Sequence, residues 1–318
     1  MTDKISIIIP CFNESENISN TYDKIKENVK KITENFELIF VDDGSTDNSF
    51  SKLFSLSNKD KNLKIIKLSR NFGHQNAIFA GLENASGDCI IIIDADLQDP
   101  PELFKVMFKK WKDENYQVVY GVRKKRKGNF FKLLLYSFYH RLFKLFSNLN
   151  NTSDLADFCL IDKKIKNYLI SLKEKNIYFR GLRSWIGFKQ TGIEYERENR
   201  NLGKSKYSIF KLYNLALNGI TNFSTKPLSL ILFLGFIIFL LSMFLILFYI
   251  VQKIFNFEFL GVLPEQVPGF YTLVIILILF GSFNLICLGL IGEYLGRVYE
   301  EIKSRPKYFI DEKINFKE

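Results

Sequence analysis

Residues 90–102 read Ile90-Ile91-Ile92-Ile93-Asp94-Ala95-Asp96-Leu97-Gln98-Asp99-Pro100-Pro101-Glu102. Four consecutive isoleucines, with no polar alternation, describe a strand covered on both faces, as in a parallel sheet. The apolar run stops on two carboxylates two residues apart. Asp99 can then cap a helix whose first turn tolerates Pro100 and Pro101. Strand, acidic turn and helix make half of a βαβ unit, and ligands of such sheets bind beyond the carboxyl ends of the strands. There Asp94 and Asp96 can hold a hard divalent cation, Mg²⁺ or Mn²⁺, through oxygen. A lone D-x-D also reads as an Asx-rich turn with solvated acids.

The surrounding sequence repeats the rhythm. Continuous apolar runs predict strands at 4–10, 37–41, 63–68, 88–94 and 117–121, with helices at about 15–35, 47–58, 74–86 and 101–115. The fold class is therefore α/β with a mostly parallel sheet. Asp42-Asp43-Gly44 ends the second strand and places Asp43 to hydrogen-bond the base or ribose of a nucleotide. The first turn, Pro10-Cys11-Phe12-Asn13-Glu14, lacks the glycines of a dinucleotide fingerprint and no Walker lysine follows, so both of those readings fail.

The last third is different. Residues 228–251 and 270–292 carry no charge and are each long enough to cross a bilayer as a helix. Of the 44 Lys and Arg, only Lys253 lies between or within these runs. Cations favour the cytosolic side, so both termini and the catalytic domain are expected there, with the loop around Glu265 outside. The chain is read as an integral protein of the inner (cytoplasmic) membrane. The early run ending at Pro10 is too short for a secretory signal. Four scattered cysteines give neither a disulfide framework nor a zinc site. The 32 Phe and 15 Tyr exclude a disordered chain. Residues 121–153 hold eight Lys or Arg and no acid. Beside two spans, such a block is expected to meet anionic lipid and not nucleic acid. Residues 129–149 and 207–223 have the basic, aromatic amphipathic pattern of helices lying in a membrane surface, or of helices packed on the domain. The expected division is a catalytic core at 1–127, an acceptor-side and membrane-interface region at 128–226, a transmembrane hairpin at 227–292 and a cytosolic tail at 293–318. His74 and His140 are the only histidines. Neither shows a catalytic partner in sequence, so His74 is assigned to the domain and His140 to the interfacial helix.

Taken together, Ile9-Pro10-Cys11-Phe12-Asn13-Glu14, Val41-Asp42-Asp43-Gly44-Ser45-Thr46-Asp47, Ser69-Arg70-Asn71-Phe72-Gly73 and the 94–102 segment resemble the motifs of family 2 glycosyltransferases with the GT-A fold. Asp157-Phe158-Cys159-Leu160-Ile161-Asp162, Phe179-Arg180-Gly181-Leu182 and Arg200-Asn201-Leu202-Gly203-Lys204-Ser205-Lys206-Tyr207 extend the likeness to the polyprenyl-phosphate branch. That branch includes dolichyl-phosphate mannose synthases and bactoprenol glucosyltransferases. The resemblance implies a nucleotide-sugar donor across Pro10, Asn13, Glu14, Asp43, Asp94 and Gln98, with metal at Asp94 and Asp96. It implies catalytic roles for Asp157 and Asp96, and phosphate contacts at Arg200, Ser205 and Lys206. It also implies a polyprenyl-phosphate acceptor and a homo-oligomer. Two departures bear on substrate contacts: Ala156 stands where the branch usually has Gly, and Cys159 where many members have Arg.

The expected reaction is inverting transfer of a sugar, glucose first, from a UDP-sugar to undecaprenyl or another polyprenyl phosphate. Other donors with the same chemistry are UDP-4-amino- or formamido-arabinose, UDP-N-acetylhexosamine and GDP-mannose. A processive polysaccharide synthase is disfavoured, because Arg183-Ser184-Trp185 lacks the upstream Gln of Q-x-x-R-W and two spans make a poor polymer channel. A non-catalytic membrane scaffold is disfavoured by the intact acidic set.

Overall fold

The computed structural model describes residues 3–123, 155–172, 174, 177–196 and 269–316, with single positions between 233 and 255. It comprises two compact units, one of residues 1–219 with 305–318 and one of residues 220–304.

The first unit is built on one sheet of eight strands. β1 (Ile5–Cys11), β2 (Phe36–Asp42), β3 (Leu63–Leu68), β4 (Cys89–Ile92), β5 (Val118–Arg123), β6 (Leu155–Asp162), β7 (Gln190–Tyr195) and β8 (Ile310–Ile314) lie in the order β7-β5-β6-β4-β1-β2-β3-β8. Neighbours β1–β2, β1–β4, β2–β3 and β5–β7 are parallel. β6 runs antiparallel to both β4 and β5, and β8 antiparallel to β3. The expected mostly parallel α/β sheet is thus present. The strand cores are buried on both faces because α1 (Ile18–Lys30), α2 (Ser49–Ser57), α3 (His74–Asn84), α4 (Phe104–Lys112), α5 (Lys163–Ser171) and α6 (Phe179–Trp185) cover them.

Two local readings change. Asp99 does not cap the following helix, which opens as a 3₁₀ turn at Pro101–Leu103 with no side-chain cap. Asp99 instead accepts the Tyr195 hydroxyl and lies 3.6 Å from Arg123, an ion pair that a sequence window cannot register. Part of the expected 293–318 tail is sheet. Ile310–Ile314 extends the β3 edge, Ser69 N donates to Phe309 O at 3.0 Å, and the Phe309 ring lies 6.2 Å from that of Phe72. A tail strand returning to an edge also covers the unpaired amides that an exposed β3 would leave.

In the second unit, α7 (Gly269–Ile302) runs for 34 residues and contains the uncharged 270–292 stretch. Counting only residues described in full, no helix is long and apolar enough to cross a membrane. Segments 129–149 and 207–223, and all but single positions of 228–251, lie outside the described residues.

The amino ends of β1–β3 and the turn leading to β4 are held by one carboxylate. Glu37, whose side chain is 2% exposed, takes Lys4 Nζ at 2.9 Å and Lys64 Nζ at 2.7 Å. It also accepts Ser6 Oγ at 2.5 Å and Ser86 N at 2.7 Å. Burial opposes its charge, but these donors outweigh burial and hold its pKa down at about 2, from 4.5. The stabilisation is complete above pH 4.5 and is lost as pH falls through 2. We expect Glu37→Gln to lower stability by about 3 kcal/mol at neutral pH, and to flatten the acid limb between those values, in chemical denaturation. Wild-type stability in that variant would remove Glu37 from this role.

Candidate active site

Beyond their last sheet pair, Ile92 with Cys159, β4 and β6 release Asp94 and Asp157 at neighbouring strand ends. Both belong to the set read from sequence, and the antiparallel register of β6 brings them together. Two residues that sequence reading left without a role complete the cluster. His74, the first residue of α3, places Nε2 3.4 Å from Asp94 Oδ1 and 3.9 Å from Asp157 Oδ2. Arg180 of α6 grips Asp157 with Nε at 2.9 Å and Nη2 at 2.6 Å. The partners of His74 are 20 and 83 residues away, so no local pattern could reveal them. Arg180 lies within Phe179-Arg180-Gly181-Leu182, and that family resemblance is its only signal in the sequence.

Each side chain is aimed by an identifiable device. Gly73, at φ +97°, turns the chain into α3 and sets His74 at its head. Gln75 Oε1 accepts Phe179 N at 2.9 Å, tying the start of α6, and hence Arg180, to the same turn. Asp43 is 3% exposed and accepts Phe72 N at 2.7 Å and Gly73 N at 2.9 Å. It therefore shapes the 69–73 loop. Gly44, at φ +68°, lets that loop pass, since a Cβ there would sit 2.4 Å from the Arg70 carbonyl carbon. Asn13, at φ +54°, joins the first two turns: its N donates to Ser45 Oγ at 2.9 Å and its Oδ1 accepts Thr46 N at 2.8 Å. Glu14 N donates to Ser49 Oγ at 2.9 Å, while Pro10 is buried in β1. In the acidic turn, Thr21 Oγ1 donates to Ala95 O at 2.6 Å, and Gln98 N donates to Asp96 Oδ1 at 3.2 Å. Arg200, Ser205 and Lys206 lie outside the described residues.

The electrostatics split the two carboxylates. Burial raises Asp157, yet the charge and hydrogen bonds of Arg180 overcome it, with help from His74 and Arg183, and hold it well below the usual range. Asp94 goes the other way, up to about 6. Burial is the main cause, opposed by His74, and repulsion from Asp99, Asp157 and Asp96 adds to it. Two acids with environments that separate their protonation are a mark of a functional site.

The same turn fits a divalent cation. Asp94 Oδ1 is buried without a hydrogen-bond partner among the described residues, and the accumulated negative charge favours a cation there. No group of three or more ligand-type residues occurs among the described residues. Asp94 and Asp96 would thus share the ion with ligand oxygens, as Mg²⁺ and Mn²⁺ sites on phosphates do.

A sheet with a carboxylate cluster at its carboxyl ends and an acidic turn able to take a cation is the arrangement expected of an α/β enzyme. The chain belongs to glycosyl transferase family 2, whose model matches residues 6–167, and it is a glycosyltransferase. It is 45% identical over 309 residues to the uncharacterized glycosyltransferase YkcC of Bacillus subtilis, covering 96% of this chain and 92% of that one. Identity to the uncharacterized glycosyltransferase sll0501 of Synechocystis is 38%, with 98% and 96% covered. Identity to the SfII prophage-derived bactoprenol glucosyl transferase of Shigella flexneri is 34%, with 96% and 97% covered. A solved glucosyl-3-phosphoglycerate synthase from Mycobacterium tuberculosis, in complex with Mn²⁺, UDP-glucose and phosphoglyceric acid, aligns with a TM-score of 0.44 at 21% identity, covering 69% of this chain and 78% of that one.

A proton on Asp94 competes with a cation. With its pKa at about 6, Mn²⁺ binding in the presence of UDP should weaken about tenfold between pH 7.5 and pH 5, as followed by calorimetry. Asp94→Asn should remove most of the affinity together with this pH dependence. Binding by the wild type that ignores pH over this range would exclude Asp94 as a ligand.

Proposed function

We propose that this protein moves a sugar, glucose, from a UDP-sugar onto the phosphate of undecaprenol or a similar polyprenol, with inversion, at the cytosolic face of the inner membrane. The observation that carries the reading is the split pair Asp94 and Asp157, set in a chain that matches a bactoprenol glucosyl transferase from end to end. The donor lies across Pro10, Asn13, Glu14, Asp43, Asp94 and Gln98. Asp94 and Asp96 would hold Mg²⁺ or Mn²⁺, which would supply charge stabilisation for the departing diphosphate. A lipid phosphate is largely dianionic at neutral pH and needs little deprotonation. Asp157, kept ionised by Arg180, is too weak a base to take a proton at neutral pH and therefore orients the acceptor side, so that positioning carries much of the rate. One direct displacement by a phosphate oxygen inverts the anomeric carbon. Arg200, Ser205 and Lys206 hold phosphates of donor and lipid, as the family likeness implies, and the protein assembles as a homo-oligomer.

Membrane placement has two supports. Phe233, Ile237, Leu240, Phe244, Leu247 and Val251 are exposed at helical spacing, as are Leu273, Ile276, Leu277 and Phe280 of α7. Such contiguous apolar faces call for lipid or protein cover. In addition, β8 follows the apolar region yet pairs within the sheet that precedes it. That pairing favours an even number of crossings between them. A hairpin with the Glu265 loop outside and both termini cytosolic meets that condition.

The test is transfer by the purified full chain from labelled UDP-glucose, UDP-N-acetylglucosamine, UDP-4-amino-arabinose and GDP-mannose to undecaprenyl phosphate, read by extraction into organic solvent. UDP-glucose should give the extracted product only with a divalent cation present. Asp157→Asn should lose about 100-fold or more in turnover while binding UDP and metal within about threefold of wild type. Water-soluble product alone, or normal transfer by Asp157→Asn, would overturn the acceptor or the role of Asp157 respectively.

A further inference from the structure

Arg183 is 0% exposed and makes no ion pair among the described residues. Its Nη1 donates to Ala156 O at 3.1 Å, whereas Nε and Nη2 have no hydrogen-bond partner there. The guanidinium lies 5.0 Å from the Tyr120 ring centre and 5.8 Å from that of Phe179. A buried cation with two unmatched nitrogens is costly, and an apolar side chain would serve packing alone better. The two rings offset part of that cost, and the charge is also felt at Asp157, whose ionised form it favours. Ala156 immediately precedes Asp157, and Arg180, one turn earlier on the same short helix, holds the Asp157 carboxylate. One helix thus fixes one strand residue twice: by its carboxylate and by the peptide before it. Cys159, also buried, shares the strand face of Asp157 at two-residue spacing. Its thiol, pushed up by burial, is drawn back by the neighbouring Arg183 charge. Position 159 is therefore a second route by which a guanidinium could reach the same place.

We propose that Arg183 is a positioning residue for Asp157: its buried guanidinium fixes the Ala156 carbonyl and supplies, from the helix side, a positive charge that a residue at 159 could supply from the strand side. The inference rests on the catalytic role of Asp157, so Asp157→Asn is assayed alongside on whichever donor and acceptor the wild type uses. Arg183→Met should stay folded and bind UDP normally. Its kcat should fall about tenfold or more while the donor KM stays within about twofold. Adding Cys159→Arg to Arg183→Met should recover most of the lost kcat, a gain that a purely structural role for Arg183 would not produce. Wild-type kcat in Arg183→Met, or a folded double variant with no recovery, overturns the proposal. If Arg183→Met does not fold, Arg183→Lys decides: lowered kcat at unchanged donor KM supports positioning, and raised KM at unchanged kcat contradicts it. Normal transfer by Asp157→Asn would instead remove the catalytic reading beneath it.

Discussion

The two-pronged contact between Arg180 and Asp157 is the constraint on which the rest of the site depends. Asp94 and Asp157 leave the sheet side by side, and two such carboxylates in a poorly solvated place would ordinarily contest one proton. Arg180 settles the contest. It pins Asp157 in the ionised form, and that fixed negative charge in turn helps push Asp94 up to about 6. A buried carboxylate released from its guanidinium would be strongly destabilising, which makes the pair a structural commitment as well as an electrostatic one.

The fold delivers this contact through an exception to its own pattern. A purely parallel sheet would carry the β6 residues to strand ends by way of a helical crossover. Here β6 runs against β4, so its entry, not its exit, meets the end of β4. Asp157 thereby arrives at the ligand-binding edge near the beginning of its strand. The loop at 69–75 then gathers the remaining pieces: Asp43 holds its amides, Gly73 turns it into α3, His74 faces the two acids and Gln75 secures α6. Phe309, just before the tail strand β8, backs the same loop through the Phe72 ring.

Much of this was legible in the sequence where the information is local. The run of isoleucines ending on Asp94 gave its strand and acidic turn directly, and the four βα repeats gave the parallel core. Their ends moved by a few residues, as expected of frayed termini. Long-range information was not legible. β6 and β7 interrupt the rhythm, and β8 is separated from its partner by the whole apolar region. His74 looked inert because its partners are 20 and 83 residues distant. Asp99 looked like a cap because the Tyr195 hydroxyl that claims it lies across the sheet. The phosphate-binding residues proposed at 200–206 rest on family likeness alone, whereas Asp94 and Asp157 are also brought together around His74.

The split between the two acids can be observed without turnover. Infrared difference spectroscopy of the metal-free protein, titrated from pH 8 to pH 3, reads carboxyl protonation directly, and Asp94→Asn and Asp157→Asn assign the bands. One carboxyl should titrate with a midpoint near 6 and vanish in Asp94→Asn, while Asp157 should stay ionised throughout the range. Protonation of Asp157 within that range, or an Asp94 midpoint near the ordinary carboxylate value, would contradict that split.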